Sequence, residues 1–526
     1  MKKIKYFLFL LCVSVTMSCC TGKAYASGII NSRPSSEITA VNAKQIEFTD
    51  GVSRITAGGR YILSGEHEGQ ILIEASRSDD VEIILNGAVL NNPKGQAIFA
   101  PRSRGVELIL SDGTINFISD GVHSDGENNA AIFVRHDLII SGSGTLNVSG
   151  NFHHGIRAQD FLTINGGVFH ITAEGDALRG RDGVIINDGV FFLTAGGDGI
   201  QSNNSSNPDY GFITINGGVF DITAGDDGIQ AETNITINGG SIQIKAADDG
   251  ITANKSVLIT DGSINILESY EGIEGLNVTI TGGNINVIAR DDGINARDSN
   301  AVRDFRGRPM MRGPLNQDIF VRITGGSVYV HALGDGIDSN NNIFIEGGNI
   351  YISGPSRGME GAIDCDGSLL ITGGRLITAG SVINISRQST QPVVSVAFSR
   401  QLPAGTLVEV KNSKDNILLN YTAQTAFSAS FFTSSDFVTG ETYALFINGE
   451  KTNDITLNTL ITSVSGNSAL AGEIPRGNNR NIPGAEFIPP GDFGGRFGEM
   501  PNPEDFRNMP NPGDFGRNRR DMPPRP

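Results

Sequence analysis

Two dipeptide marks return along this chain at a nearly constant interval, and that interval limits what the chain can fold into. Turn pairs stand at Gly166-Gly167, Asp188-Gly189, Gly217-Gly218, Gly239-Gly240, Asp261-Gly262, Gly282-Gly283, Gly325-Gly326, Gly347-Gly348 and Gly373-Gly374. Most steps between them are about 22 residues, the range of a solenoid repeat. A second mark keeps the same step: Asp176-Ala177-Leu178, then Asp198, Asp227, Asp249, Glu271, Asp292 and Asp335, each followed by Gly-Ile. Between the marks apolar residues alternate, as in Ile235 and Ile237, Ile242 and Ile244, then Ile251. Alternation with period two is the signature of strands with one buried side. Two or three short strands cannot close a core, so each unit must stack on the next. The expected fold is all-β, a right-handed parallel β-helix of about 11 or 12 coils of roughly 22 residues, the hand following from the crossover rule. Helical repeats need helix-period segments that are absent here, and a nine-residue calcium roll has the wrong period.

The flanks read differently. Lys2, Lys3 and Lys5, an apolar run to Met17 and Ala24-Tyr25-Ala26 mark residues 1–26 as a signal peptide. Thr16-Met17-Ser18-Cys19-Cys20 leaves a lipid anchor at Cys19 or Cys20 open, so the protein is expected to be secreted or held at the cell surface. No later apolar run reaches membrane-span length. Residues 27–90 are expected to form an N-terminal cap and first strands, 91–390 the coils, and 391–460 a small C-terminal β cap. The cap follows from the changed rhythm of Val393-Val394-Ser395-Val396 and Leu407-Val408-Glu409-Val410, and from the need to cover an open solenoid end. Residues 461–526, with motifs such as Asn511-Pro512-Gly513-Asp514-Phe515, are too poor in apolar residues to order and read as a Pro/Gly/Arg-rich disordered tail. Cys365 is the only cysteine beyond the leader, which excludes disulfides and a cysteine zinc site. A formal charge of −17 argues against nucleic acid as a partner. The absence of Trp argues against a flat aromatic platform for crystalline cellulose. A monomer is expected.

The recurring acids should stack at one corner, about 4.8 Å apart, where like charges repel. Asp-Gly is a common turn pair, with glycine supplying φ > 0. That reading leaves unexplained the doublets Asp226-Asp227, Asp248-Asp249 and Asp291-Asp292, and Glu271 at the matching position. Paired carboxylates at adjacent levels suit calcium, a hard cation that takes oxygen ligands. The expected metal residues are Asp226, Asp227, Asp248, Asp249, Glu271, Asp291, Asp292, Asp335 and Asp338. The long step from Asp292 to Asp335 implies an inserted loop from Arg297 to Gln317 leaving the same corner, with these two acids on neighbouring coils. Loops leaving one corner of a solenoid commonly form its binding face. Arg297, Arg303, Phe305, Arg306 and Arg308 there, and Tyr210 in a shorter insertion from Asn203 to Gly211, are expected to contact ligand, since arginine pairs bidentately with carboxylate. A solvated basic loop is the plain alternative. His153 and His154 read as solvated turn residues, and no catalytic residue is assigned.

The Asp-Asp-Gly-Ile coils, the Ile-Thr-Gly-Gly turns and the cap with Thr439-Gly440-Glu441-Thr442-Tyr443 resemble the bacterial secreted carbohydrate-binding β-helix family, over nearly the whole mature chain. The resemblance implies calcium binding, plant-type or acidic polysaccharide as partner, and a fold similar to calcium-dependent pectate lyases. In one lyase family the metal motif is Asp-Asp-Gly-x-Asp. Asp335-Gly336-Ile337-Asp338 matches most of it, with Gly334 in place of the first Asp. The leading expectation is thus an extracellular calcium-dependent polysaccharide-binding β-helix. A pectate-lyase-like enzyme, with Lys245, Lys255, Arg297 or Arg303 as base, and a structural or adhesive surface protein are the alternatives.

Overall fold

The structure, a computed structural model, describes residues 42–49, 51–121, 129–298, 316–355 and 360–466. The segment read as a signal peptide, Cys19 and Cys20, the loop residues Arg303, Phe305, Arg306 and Arg308, and residues 467–526 all lie outside the described residues. So does the whole of the second compact unit, Ala471–Pro526.

Among the described residues there are strands and turns but no helix. Each repeat supplies three strands, which stack in parallel into three faces. In the repeat beginning at Asn234, the strand before the Gly-Gly turn, Asn234–Ile237, lies on face A. The strand after it, Ser241–Ala246, lies on face B. The residues after the Asp-Gly corner, from Ile251 to Ala253, lie on face C. Ile235, Ile237, Ile242, Ile244, Ile251 and Ala253 all turn inward and are buried. Register is in phase along the stack: Ile222 pairs with Ile244, and Ile244 with Ile266. Like therefore sits on like, and Phe169, Phe191 and Phe220 form an internal ring stack with centroids 4.9 and 4.6 Å apart. At the A–B corner the second glycine of each pair does need left-handed backbone, as at Gly240 with φ 100°.

Face B holds thirteen rungs among the described residues, from Gly65–Glu68 to Arg375–Ala379. At the usual strand spacing that is about 60 Å of stack. The first coils, over residues 59–92, pair in the same parallel way without the two glycine marks, so counting marks undercounts coils. At the far end Phe427–Ser434 pairs antiparallel with the last face-B strand and covers its edge. Beyond it the strands Leu407–Lys411, Ile417–Thr422, Thr442–Ile447 and Glu450–Thr456 form a separate antiparallel sheet with its own core.

The glycine of the Asp-Gly corner corrects one expectation. Gly199, Gly228 and Gly250 are not among the residues with positive φ. Their role is steric. A Cβ on Gly250 would lie 2.6 Å from the Gly272 carbonyl oxygen and 2.8 Å from Ile266 side-chain carbons. On this coil the neighbouring rung approaches too closely for a side chain, whereas Ala177 and Ala362 fit at the same position nearer the two ends of the acid run. Gly250→Ala is accordingly expected to destabilise the protein by about 1–3 kcal/mol, the usual cost of overpacking, and thermal denaturation measures it.

A second correction concerns the insertions. Both leave the corner between faces C and A, one short strand beyond the acids. Ile294–Ala296 precedes the long insertion and Phe320–Ile323 follows it. Ile200–Ser202 and Phe212–Ile215 bracket the shorter one. On these two coils the chain leaves the stack after face C.

Candidate metal centre

The corner between faces B and C shows why an acid belongs there. The Gly228 N–H donates to Asp249 O on the next coil, as do Gly250 to Glu271 O and Gly293 to Asp335 O. Each acid's carbonyl therefore points back towards the preceding coil, and so does its N–H. That N–H finds no backbone acceptor, because the carbonyl opposite faces away. The preceding carboxylate supplies one. Asp227 N–H donates to Asp198 Oδ1 at 3.0 Å, Asp249 N–H to Asp227 Oδ1 at 2.9 Å, Glu271 N–H to Asp249 Oδ1 at 3.2 Å, and Asp335 N–H to Asp292 Oδ1 at 2.7 Å. Gly361 N–H closes the series on Asp335. A buried N–H left without a partner costs about 1–3 kcal/mol, which is the structural reason for the ladder.

One oxygen of each of these aspartates is thus engaged, and the charge remains. At the lower end cationic and polar partners answer it. His154, expected as a solvated turn residue, is instead 1% exposed and places Nδ1 3.0 Å from the Asp176 nitrogen. Arg179 Nη1 lies 3.1 Å from Asp176 Oδ2. Burial alone would raise the Asp176 pKa, but His154 and Arg179 outweigh it and hold it below the usual carboxylate value.

Above Asp176 this compensation ends. Burial, reinforced by neighbouring acids, pushes Asp198, Asp249 and Asp292 up to about 7 and Asp227 and Asp338 up to about 8. Glu271 and Asp335 are also raised, first by burial and then by hydrogen bonds to Glu274 and Glu360 respectively. Among the described residues Arg297 reaches this stretch, with Nε 2.6 Å from Glu274 and Nη1 3.5 Å from Glu271, and the Arg290 guanidinium donates to the Ser269 and Ala247 carbonyls beside the outer acids.

Two groups of carboxylates converge, each with ligand atoms within 4.8 Å of one another: Asp198, Asp226 and Asp227, and Asp292, Asp335 and Glu360. Unpartnered amide oxygens accompany them. Gln201 Oε1 is buried without a hydrogen-bond partner while its Nε2 binds Asp198. Asn295 Oδ1 is likewise unpartnered on a side chain in a residue 4% exposed, and its neighbour in register is Asp338. At Gly334 an added Cβ would lie 2.6 Å from Asp291 Oδ1 and 2.7 Å from Asp292 Oδ1, so glycine keeps the space before these oxygens open. Spare hard oxygens, carboxyls short of counter-charge and a glycine-lined gap could hold a hard metal cation.

Of the residues singled out from sequence, Asp226 and Asp227 meet in the lower group and Asp292 and Asp335 in the upper. Asp338 lies beside the upper one on face C, in electrostatic contact with Asp292. Asp248, Asp249 and Glu271 occupy the rungs between, and Asp291 is next to Asp292. Tyr210 is elsewhere, at the C–A corner, edge-on to Phe161 at 5.6 Å. Sequence reasoning passed over Asp198, which keeps the rhythm but has Gly197 rather than a doublet. It also passed over Glu360, since Gly361-Ala362-Ile363 replaces Asp-Gly-Ile on that coil.

Residues 49–304 match the family described as carbohydrate-binding domain-containing protein. That region spans the ladder from Asp176 to Asp292. A carbohydrate-binding domain-containing protein of Acetivibrio thermocellus is 30% identical over 144 residues, 26% of this chain and 50% of that protein. The chain therefore spans about half the length of the curated relative it matches. A solved structure described as the polysaccharide lyase-like protein from C. thermocellum, a gadolinium derivative, shares 31% identity over 39% of this chain and 86% of that one, with a TM-score of 0.38. Among the described residues no helix is long and apolar enough to cross a membrane.

Proposed function

We propose that this protein is an extracellular carbohydrate-binding β-helix that holds calcium along its acid ladder and uses it to bind an acidic polysaccharide. The observation that carries this reading is the convergence of two carboxylate groups, Asp198, Asp226 and Asp227 and then Asp292, Asp335 and Glu360, along a run of buried and half-buried acids short of counter-charge. Asp198, Asp226 and Asp227 with Gln201 would hold one ion, and Asp292, Asp335 and Glu360 with Asn295 and Asp338 another. Bound calcium supplies positive charge and coordination positions that a sugar carboxylate can share. The match of residues 49–304 to carbohydrate-binding domain-containing proteins supports the class of ligand.

The lyase alternative needs an unprotonated base at the metal. Arg297 is ill suited. Burial would lower its pKa, but Glu271 and Glu274 outweigh burial and hold it protonated. Lys245 projects from the exposed side of face B, and Lys255 Nζ reaches the Pro208 carbonyl at 3.1 Å.

Incubation with polygalacturonate tests the proposal. Retention of the polymer in millimolar calcium, lost with chelator and without unsaturated products, is expected. Equal retention in both conditions would remove calcium from the reading, and product formation would replace binding with lyase chemistry.

A further inference from the structure

The acid corner also carries two large apolar side chains that charge does not explain. The first residue of each doublet forms an outer row, in which Asp226, Asp248, Tyr270, Asp291 and Gly334 follow one another. Asp248 N–H donates to Asp226 O, Tyr270 N–H to Asp248 O, Asp291 N–H to Tyr270 O and Gly334 N–H to Asp291 O. Tyr270 thus takes a position held by Asp on the rungs on either side, and it is 45% exposed. Leu333, beside Gly334 two rungs on, is 65% exposed. At strand spacing the two stand about 10 Å apart along the axis, one on each side of the Asp291 rung. The Asp291 carboxylate beside the Tyr270 hydroxyl raises the tyrosine pKa, which places that edge of the ring near the acid row.

A cation alone has no use for exposed apolar surface beside its ligands. A sugar ring does, because it presents an oxygen-rich edge to hard cations and a C–H face to aromatic and aliphatic side chains. We infer that Tyr270, with Leu333, seats the C–H face of a sugar ring whose carboxylate edge faces the calcium ion that the Asp292, Asp335 and Glu360 group would hold. The site thereby selects an acidic sugar over a non-sugar polyanion of similar charge. This rests on the carbohydrate reading above and names the residues that make it specific for sugar.

The test compares polygalacturonate with polyglutamate, both in calcium, on the wild-type protein and on Tyr270→Ala, Tyr270→Phe and Leu333→Ala. The wild type is expected to prefer polygalacturonate. Tyr270→Ala should lose about tenfold in affinity for it, the size of a contact hot spot, with no change towards polyglutamate. Tyr270→Phe should keep the affinity. The chain has no Trp, so emission excited near 280 nm comes from tyrosine. The ligand-induced change in that emission should shrink in Tyr270→Phe although binding persists. A calcium-dependent rise in melting temperature in each variant shows that the fold and metal sites are intact. Unchanged polygalacturonate affinity in both alanine variants, or equal losses towards both polymers, would overturn the assignment while leaving calcium-dependent binding standing. Failure of the wild type to retain polygalacturonate at all would defeat the carbohydrate reading and this inference with it.

Discussion

Without calcium, the melting temperature of this protein is expected to fall by about 10 °C as pH is raised from about 5 to about 8, and millimolar calcium is expected to abolish the fall. The sign follows from the acid ladder. Asp198, Asp249 and Asp292 are pushed up to about 7 and Asp227 to about 8, chiefly by burial. In an unfolded chain the same groups titrate near 4. Between those values the unfolded chain has released protons that the folded chain still holds, so folding is favoured at the acid end and weakened as pH rises through the folded values. This is opposite to a protein whose acids are salt-bridged, which loses stability on acidification. Calcium replaces the protons as counter-charge and should flatten the profile. A metal-free melting temperature that stays level or rises over this range would sink the claim that these carboxyls lack compensation.

The second large effect separates the two tasks of one carboxylate. Asp292 Oδ1 accepts the Asp335 N–H at 2.7 Å, and the same side chain belongs to the upper carboxylate group. Asp292→Asn keeps a carbonyl oxygen for the N–H but removes the charge. Asp292→Ala removes both. In chelator near pH 8 the asparagine variant should be at least as stable as the wild type, whereas the alanine variant should lose about 1–3 kcal/mol for the unsatisfied N–H. In calcium both should lose polygalacturonate retention by more than about tenfold, the cost of a metal ligand that carried a charge. Denaturation and pull-down on the same preparations read the two effects independently. If asparagine proved as destabilising as alanine in chelator, charge and not the N–H cap would be the structural reason for the acid.

Much of this was legible along the chain. Ile242, Ile244 and Ile266 keep their period because each must land on the same residue of the next coil, so a one-dimensional pattern reports a three-dimensional stack. Counting along it placed Asp292 and Asp335 on neighbouring rungs, and the hydrogen bond between them has that separation. The coils over residues 59–92 were harder to see. They use other turns, and parallel pairing constrains backbone more than it constrains identity.

The site was less legible than the coils. Glu360 breaks the motif on its own coil and still enters the upper group, because membership depends on where a carboxylate oxygen arrives and not on how the chain delivers it. Arg179 and His154 look no different in sequence from other polar residues, yet Arg179 places its charge on Asp176 and His154 accepts the Asp176 N–H, a combination the rungs above do not repeat. The insertion after Arg297 leaves one corner later than the spacing implies, since a three-residue strand between two turns is too short to announce itself by alternation.

By itself, then, the sequence determined the stacking: a constant period of inward apolar residues, glycines where coils touch, and an acid at one corner of seven successive coils. The tertiary structure decided what those acids are for. Only the direction of the backbone hydrogen bonds shows that each ladder aspartate caps an N–H of the next rung. Only burial and the uneven supply of cations show which rungs are left short of positive charge. Those quantities are sums over neighbours from several coils, and no single repeat contains them.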